Sequence, residues 1–204
     1  MRESDERPVV VKVGGSLLRW DGLRGRLADF LRSDELRDAR PVLIAGGGPV
    51  ADAVRGLYAT YALGEEAGHR LALRAMDVTA HALAALVDGS RVVETIADLP
   101  HAWARGLRPI LAPRRFLEEV DERGSDPLPL SWSTTSDSIA ARVAVHLGAG
   151  RLVLLKSEST TARSRREAAE IGHVDPVFVR ACDGLRHVDS VDLRAPGTPA
   201  VRLD

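Results

Sequence analysis

Short runs of aliphatic and β-branched residues alternate along this chain with longer stretches whose apolar positions return every three or four residues. Val9-Val10-Val11-Lys12-Val13 reads as a buried strand bounded by Gly14-Gly15. Leu23, Leu27, Phe30 and Leu31 then recur at helical spacing. Pro41-Val42-Leu43-Ile44-Ala45 is a second strand, closed by Gly46-Gly47-Gly48, and Pro49 stands where a first helical residue tolerates proline. The helix beyond it carries Val50, Val54, Leu57 and Tyr58. A longer helix is predicted from about Glu65 to Leu86, with Leu71, Ala75, Val78, Ala82 and Leu86 as its apolar stripe. Arg91 to Ile96 reads as a strand or the start of a loop, and Pro109 to Ala112 as a short strand. Glu118 to Pro129 reads as a loop. Thr135 or Ser136 can cap a helix that runs through Leu147 and ends at Gly148. Leu152 to Leu155 is another buried strand. Ser157 to Arg166 is polar and Arg-rich, which predicts a mobile loop, and His187 to Leu203 could supply two edge strands. Such alternation predicts an α/β fold, a three-layer α/β/α sandwich around a mostly parallel sheet. No internal repeat or linker divides residues 1–204, so a single domain is expected.

Composition changes this picture little. The hydrophobic fraction is 45% and the formal net charge is -1, so bulk charge suggests neither a nucleic-acid nor a membrane-surface partner. Met1 to Pro8 is charged and lacks the apolar core of a signal peptide, no apolar run is long enough for a membrane span, and cytoplasm is the expected compartment. Cys182 is the only cysteine, which excludes an intramolecular disulfide and suggests a buried small side chain. Lysine usage is more informative. Among 28 basic residues only Lys12 and Lys156 are lysines, and both end strand-like runs where a phosphate could sit. Lysine offers a compact point charge on a flexible stem, arginine a wide planar fork.

In open α/β sheets ligands bind beyond the carboxyl ends of strands. Gly14-Gly15-Ser16, Gly46-Gly47-Gly48 and the segment after Lys156 occupy such ends. Glycines let backbone N–H groups approach anionic oxygens, and a following helix start adds partial positive charge. A tight strand-to-helix turn would account for either glycine run equally well. Neither fits the P-loop pattern, which needs a following Gly-Lys-Ser/Thr, and the Rossmann pattern lacks its third glycine. Ser133-Thr134-Thr135-Ser136-Asp137-Ser138 puts five hydroxyls and a carboxylate at a predicted helix start. Capping explains one or two of them. An ionised Asp137 there could orient lysine ammonium groups around a phosphate. Phosphoryl transfer asks a protein for positioning and positive charge more than for covalent chemistry, and these groups would suffice. The histidines and carboxylates show no metal-ligand spacing.

Val10-Val11-Lys12-Val13-Gly14-Gly15-Ser16, Leu43-Ile44-Ala45-Gly46-Gly47-Gly48 and Thr135-Ser136-Asp137-Ser138-Ile139-Ala140-Ala141 together resemble three motifs of the amino-acid kinases, in order and spacing, over nearly the whole chain. The segments His69 to Asp77, Leu128 to Trp132 and Gly172 to Phe178 further resemble a short archaeal and methylotroph branch that includes a methanofuran-pathway kinase. This resemblance implies an ATP-dependent phosphotransferase whose Mg²⁺ arrives with the nucleotide. For the branch it implies (5-(aminomethyl)furan-3-yl)methyl phosphate as a small phosphorylated acceptor, converted to the diphosphate. It further implies that Lys12 contacts the transferring phosphoryl group, with Lys156 as a second cation and Asp137 organising the lysines. Gly14, Gly15, Ser16, Thr135, Ser136 and Ser157 would face the nucleotide. Gly46, Gly47, Gly48, His69, Arg70, Arg74 and Trp132 would face the acceptor. Arg114 and Arg115 are further candidate cations on that side, and a homodimer is common among such relatives. The chain departs from the pattern after Lys156, where Ser157-Glu158 replaces an Asp-containing loop. No further lysine follows, so Lys156, Arg163, Arg165 or Arg166 would fill that role. A non-catalytic nucleotide- or anion-binding or storage protein, and a kinase of amino-acid carboxylates, are the competing readings.

Overall fold

The computed structural model describes residues 7–37 and 39–204, and most of the charged N-terminal segment lies outside them. Its sheet has strand order β3-β4-β2-β1-β5-β6-β7. The strands are β1 (Pro8–Val13), β2 (Arg40–Ala45), β3 (Ser90–Val93), β4 (Arg108–Leu111), β5 (Arg151–Lys156), β6 (Val188–Asp192) and β7 (Val201–Arg202). All neighbours pair in parallel except β6 and β7. The helices are α1 (Leu23–Leu31), α2 (Gly48–Tyr61), α3 (Glu65–Ala84), α4 (Leu99–Ala104), α5 (Arg114–Glu119), α6 (Ser136–His146), α7 (Arg165–Glu170) and α8 (Phe178–Ala181). The expected mostly parallel α/β sandwich is therefore observed.

Central strands bury both faces, which is why they read as unbroken apolar runs. Val10, Val42, Ile44, Leu152 and Leu154 join Ile139, Ala140 and Val143 of α6 in one core, while Val11, Val13, Leu43, Val153 and Leu155 join Leu23 and Leu27 of α1 in the other. This period of two decides the site. Lys12 shares the parity of Val10 and so points toward α6. It pairs in register with Leu154, and Lys156 lies two residues further on the same face of the adjacent strand. The chain runs outward from β1 through β2 on one side and resumes with β5 on the other. The crevice beyond their carboxyl ends is thus a topological switch point.

Several expectations need correction. The buried face of α3 carries Gly68, His69, Leu73, Met76, Thr79, Ala80 and Leu83. Of the predicted stripe only Ala75 is buried, and Val78 is 54% exposed. The helix is alanine-rich and amphipathic both ways, and the buried stripe is the one interrupted by His69 and Thr79. In α2 only Ala51 is buried, and Leu57 is exposed. The predicted loop from Glu118 holds the end of α5 and a 3₁₀ turn at Asp121–Arg123. The polar segment after β5 ends at Ser164, whose hydroxyl caps α7 by accepting from the Glu167 amide. Of the two edge strands expected between His187 and Leu203, β7 lies at an edge and β6 is interior.

Candidate active site

Lys12, Asp137 and Lys156 meet at the switch point. The Asp137 carboxylate lies 2.8 Å from Lys12 Nζ through Oδ1 and accepts a 2.7 Å hydrogen bond from Lys156 Nζ through Oδ2. Lys156 Nζ also donates to the His173 carbonyl at 2.6 Å. Lys12 and Asp137 are 4% and 5% exposed. Burial favours a neutral Asp137, but the two lysines outweigh it and hold the carboxyl at about 2. Burial also lowers the Lys12 pKa, and Asp137 opposes that shift. The result is an ionised carboxylate at the first turn of α6, where the helix dipole favours it, with an ammonium group on each oxygen. Thr135 caps this helix by accepting from the Asp137 amide.

The two glycine loops touch each other. A Cβ on Gly15 would lie 2.6 Å from the Gly48 nitrogen, and Gly48 adopts φ +48 beside the Gly15 carbonyl, so neither position accommodates a side chain without rearrangement. The Gly14 and Gly46 amides are engaged by Leu155 O and Val13 O, so these two glycines shape the site without offering their N–H groups to a ligand. Gly47 and Gly48 start α2, where N–H groups have no intrahelical acceptor. Ser16 and Ser157 hydroxyls hydrogen-bond at 2.9 Å, tying the loop after β1 to the loop after β5.

A cavity of about 320 Å³ is lined by Gly15, Ser16, Gly47, Gly48, Thr135 and Ser136, which neighbour the lysine centre along the chain, while Lys12, Asp137 and Lys156 themselves do not line it. Residues expected to face the nucleotide (Gly15, Ser16, Thr135, Ser136) and residues expected to face the acceptor (Gly47, Gly48, His69, Trp132) line this one cavity together. Met76, Leu73 and Ile139 supply apolar surface, and His69 and Trp132 supply rings. Trp132 packs closely on Gly68, where a Cβ would lie 2.5 Å from its Nε1. Its amide donates to Glu65, its ring meets Tyr58 edge-on at 5.5 Å, and the Arg55 guanidinium lies 5.3 Å from the ring centre. His69 is 1% exposed and its Nδ1 lies 3.2 Å from the Ser131 carbonyl. Burial lowers its pKa and keeps the ring neutral, so Nδ1 carries the proton and Nε2 is a buried acceptor without a partner among the described residues.

The cations expected on the acceptor side are not brought together. Arg70 pairs with Glu122 and Glu66, and Arg114 with Asp77 and Glu118. Arg115 pairs with Glu119, and Arg74 is exposed. None of the four lines the cavity. Its cations are Arg19 and Arg55, which sequence reasoning missed. Both bridge to Asp52, at 2.7 Å and 2.6 Å. Helical spacing could have pointed to Asp52 and Arg55, but Arg19 is 33 residues from Asp52. Of the arginines considered as stand-ins for a second nucleotide lysine, Arg165 is engaged by the carbonyls of Leu185, Cys182 and Leu203. Cys182 is buried as expected, and that burial pushes its thiol up to about 12. Among the described residues no cluster of three or more His, Cys, Asp or Glu could hold a metal ion, and no helix is long and apolar enough to cross a membrane.

A parallel sheet with two lysines and an organising carboxylate at its switch point has the parts of an α/β phosphotransferase. Residues 7–160 match the amino acid kinase family, and the chain belongs to that family; it is an ATP-dependent kinase. No curated protein sequence matches it. Its structure is similar to UMP kinase from Ureaplasma parvum, with a TM-score of 0.67 and 12% identity over 94% of this chain and 92% of that one. Uridylate kinase from Archaeoglobus fulgidus gives 0.62 and 14% over 90% of each chain. Aspartate kinase from Synechocystis gives 0.69 and 12%, covering 96% of this chain and 40% of that one. At such identities the likeness shows the fold. The family does not favour a non-catalytic binding protein.

Proposed function

We propose that this chain acts as a single-domain kinase that transfers the γ-phosphoryl group of ATP to a small phosphorylated acceptor held in the cavity beside Lys12. The observation that carries the reading is the Asp137 carboxylate shared by two lysines at adjacent strand ends, next to that cavity. Lys12 and Lys156 would offset the charge that builds on the transferring group, and Asp137 would fix their directions before substrate arrives, which lowers the cost of reorganisation during transfer. Ser16 and Ser157 join the loops on the nucleotide side. Both Asp137 oxygens face ammonium groups, so Mg²⁺ would be held by the ATP phosphates and not by this carboxylate. The ion supplies charge neutralisation, and the chain's own residues hold and orient the phosphates.

On the acceptor side, Trp132 and Met76 suit a flat, small ring. Arg19 and Arg55 keep fork donors beyond those that meet Asp52, which suits a phosphate monoester. That chemistry is compatible with (5-(aminomethyl)furan-3-yl)methyl phosphate and its conversion to a diphosphate in methanofuran-type cofactor synthesis. The proposal includes a cytoplasmic homodimer. The test is ADP release from ATP and Mg²⁺ with that furan phosphate, UMP, glutamate and aspartate as separate acceptors. Turnover of the furan phosphate supports the reading. Turnover of a free amino acid alone replaces the acceptor class, and release with no acceptor on the panel contradicts the assignment.

A further inference from the structure

The loop between α7 and α8 lies beyond the family match, which ends at residue 160, yet it reaches the lysine centre. Asp175 in this loop is 7% exposed. Its Oδ2 accepts from the Thr135 hydroxyl at 2.7 Å and the Ser138 amide at 3.2 Å. Its Oδ1 accepts from the Ser138 hydroxyl at 2.5 Å and the Val177 amide at 3.0 Å. Thr135 and Ser138 flank Asp137 in the chain, so Asp175 grips the first turn of α6 on both sides of the carboxylate that the lysines share. Two residues earlier in the same loop, the His173 carbonyl accepts from Lys156 Nζ, and the His173 ring is tied to Ser190 of β6 at 2.8 Å. One loop therefore braces the carboxylate's helix and one of its lysines together.

We propose that Asp175 is a positioning residue of the phosphotransfer centre: it aims Asp137 at both lysines by fixing the first turn of α6, and it adds the second negative charge that two enclosed ammonium groups require. With Asp137 alone the enclosed lysines would carry an excess positive charge. Burial already works against a charged Lys12, and the charges of Asp137 and Asp175 both oppose it while Lys156 adds to it. The His173 ring also senses this centre: its pKa is lowered chiefly by burial and then by Lys156, against the opposing charges of Asp137 and Glu158. A helix cap without this role would grip α6 equally well and leave the lysines unaffected.

Lysine scarcity makes the test direct, because Lys12 and Lys156 are the only lysines. Labelling the full chain with lysine carrying ¹³C at Cε yields two resonances, each reporting one ammonium group. Asp175→Asn keeps the shape, removes the charge and leaves one backbone N–H without its acceptor. In that variant the Lys12 titration is expected to move to lower pH, with both resonances displaced at neutral pH. Wild-type titrations for both lysines in the folded variant overturn the proposal. Should Asp175→Asn fail to fold, Ser138→Ala removes one grip on α6 without removing a charge. Displaced lysine resonances then support the proposal, and resonances at their wild-type positions overturn it. The inference rests on the phosphotransfer reading of this centre, but the titrations need neither ATP nor an acceptor, so their failure is distinguishable from failure of the transfer assay.

Discussion

The lysine centre and the cavity beside it are neighbours built on opposite principles. Lys12, Asp137 and Asp175 are buried, and each is held by a partner of opposite charge or by several hydrogen bonds. In the cavity, Arg19, Asp52 and Arg55 are about half exposed and form ion pairs with one another. Exposed pairs of that kind contribute little to stability, about 0–1 kcal/mol, whereas removing one partner of a buried pair strands a charge. The contrast teaches which part is preorganised for chemistry and which remains free to re-pair around a ligand. Damage to the centre should therefore appear in stability and turnover together, and damage to the cavity in acceptor affinity.

The largest expected effect follows Asp137→Ala. Buried Lys12 and partly buried Lys156 lose their shared counter-ion, which should cost about 3–5 kcal/mol of stability and abolish transfer. Denaturant unfolding beside the transfer assay checks both, and near-wild-type stability would break the contrast. A milder probe of the same group is acid. The Asp137 pKa is depressed from 3.8 to about 2 in the folded chain, so its stabilising contribution is complete above the ordinary carboxylate value and lost as pH falls through about 2. Asp137→Asn should accordingly flatten the loss of stability between those values, which thermal melts across acid buffers would reveal.

Cavity variants should be gentler and selective. Trp132→Ala should raise the KM for acceptor by about tenfold, a loss near 1.4 kcal/mol, while the KM for ATP stays close to wild type. Equal effects on both would mean that Trp132 faces the nucleotide. Arg55→Ala should weaken acceptor binding by a smaller factor that shrinks further in salt, as expected for a half-exposed cation. The smallest effect belongs to Arg74→Ala, which should leave both KM values unchanged because Arg74 lies outside the cavity.

The same contrast governs how much could be read from the sequence. β1, β2 and β5, the two glycine turns and the Thr135 cap rest on local patterns, namely unbroken apolar runs and capping chemistry, whereas the convergence of Lys12 with Asp137, distant in the chain, is legible through the family resemblance. The cavity rests on choices between equivalent candidates. In α3 an Ala-rich helix offers two apolar stripes, and the buried one, with Leu73, Met76 and Leu83, is broken up in sequence by His69 and Thr79. Arginines are interchangeable in sequence, and which of them is neutralised depends on distant carboxylates. Arg70 meets Glu122 52 residues away. Asp175 was hidden for the same reason, since its hydrogen-bond partner Ser138 lies 37 residues earlier.

The central claim is that the two lysines around Asp137 stabilise a phosphoryl group in transfer, and Lys12 tests it most directly. Wild-type protein and Lys12→Ala, each verified as folded, would be given ATP, Mg²⁺ and the acceptor panel, with products followed by ³¹P NMR. The account predicts diphosphate formation by the wild type and a turnover below about a tenth of it in the variant, a loss exceeding about 1.4 kcal/mol, expressed in kcat more than in KM. A Lys12→Ala variant that transfers phosphate at more than about a tenth of the wild-type rate would contradict it.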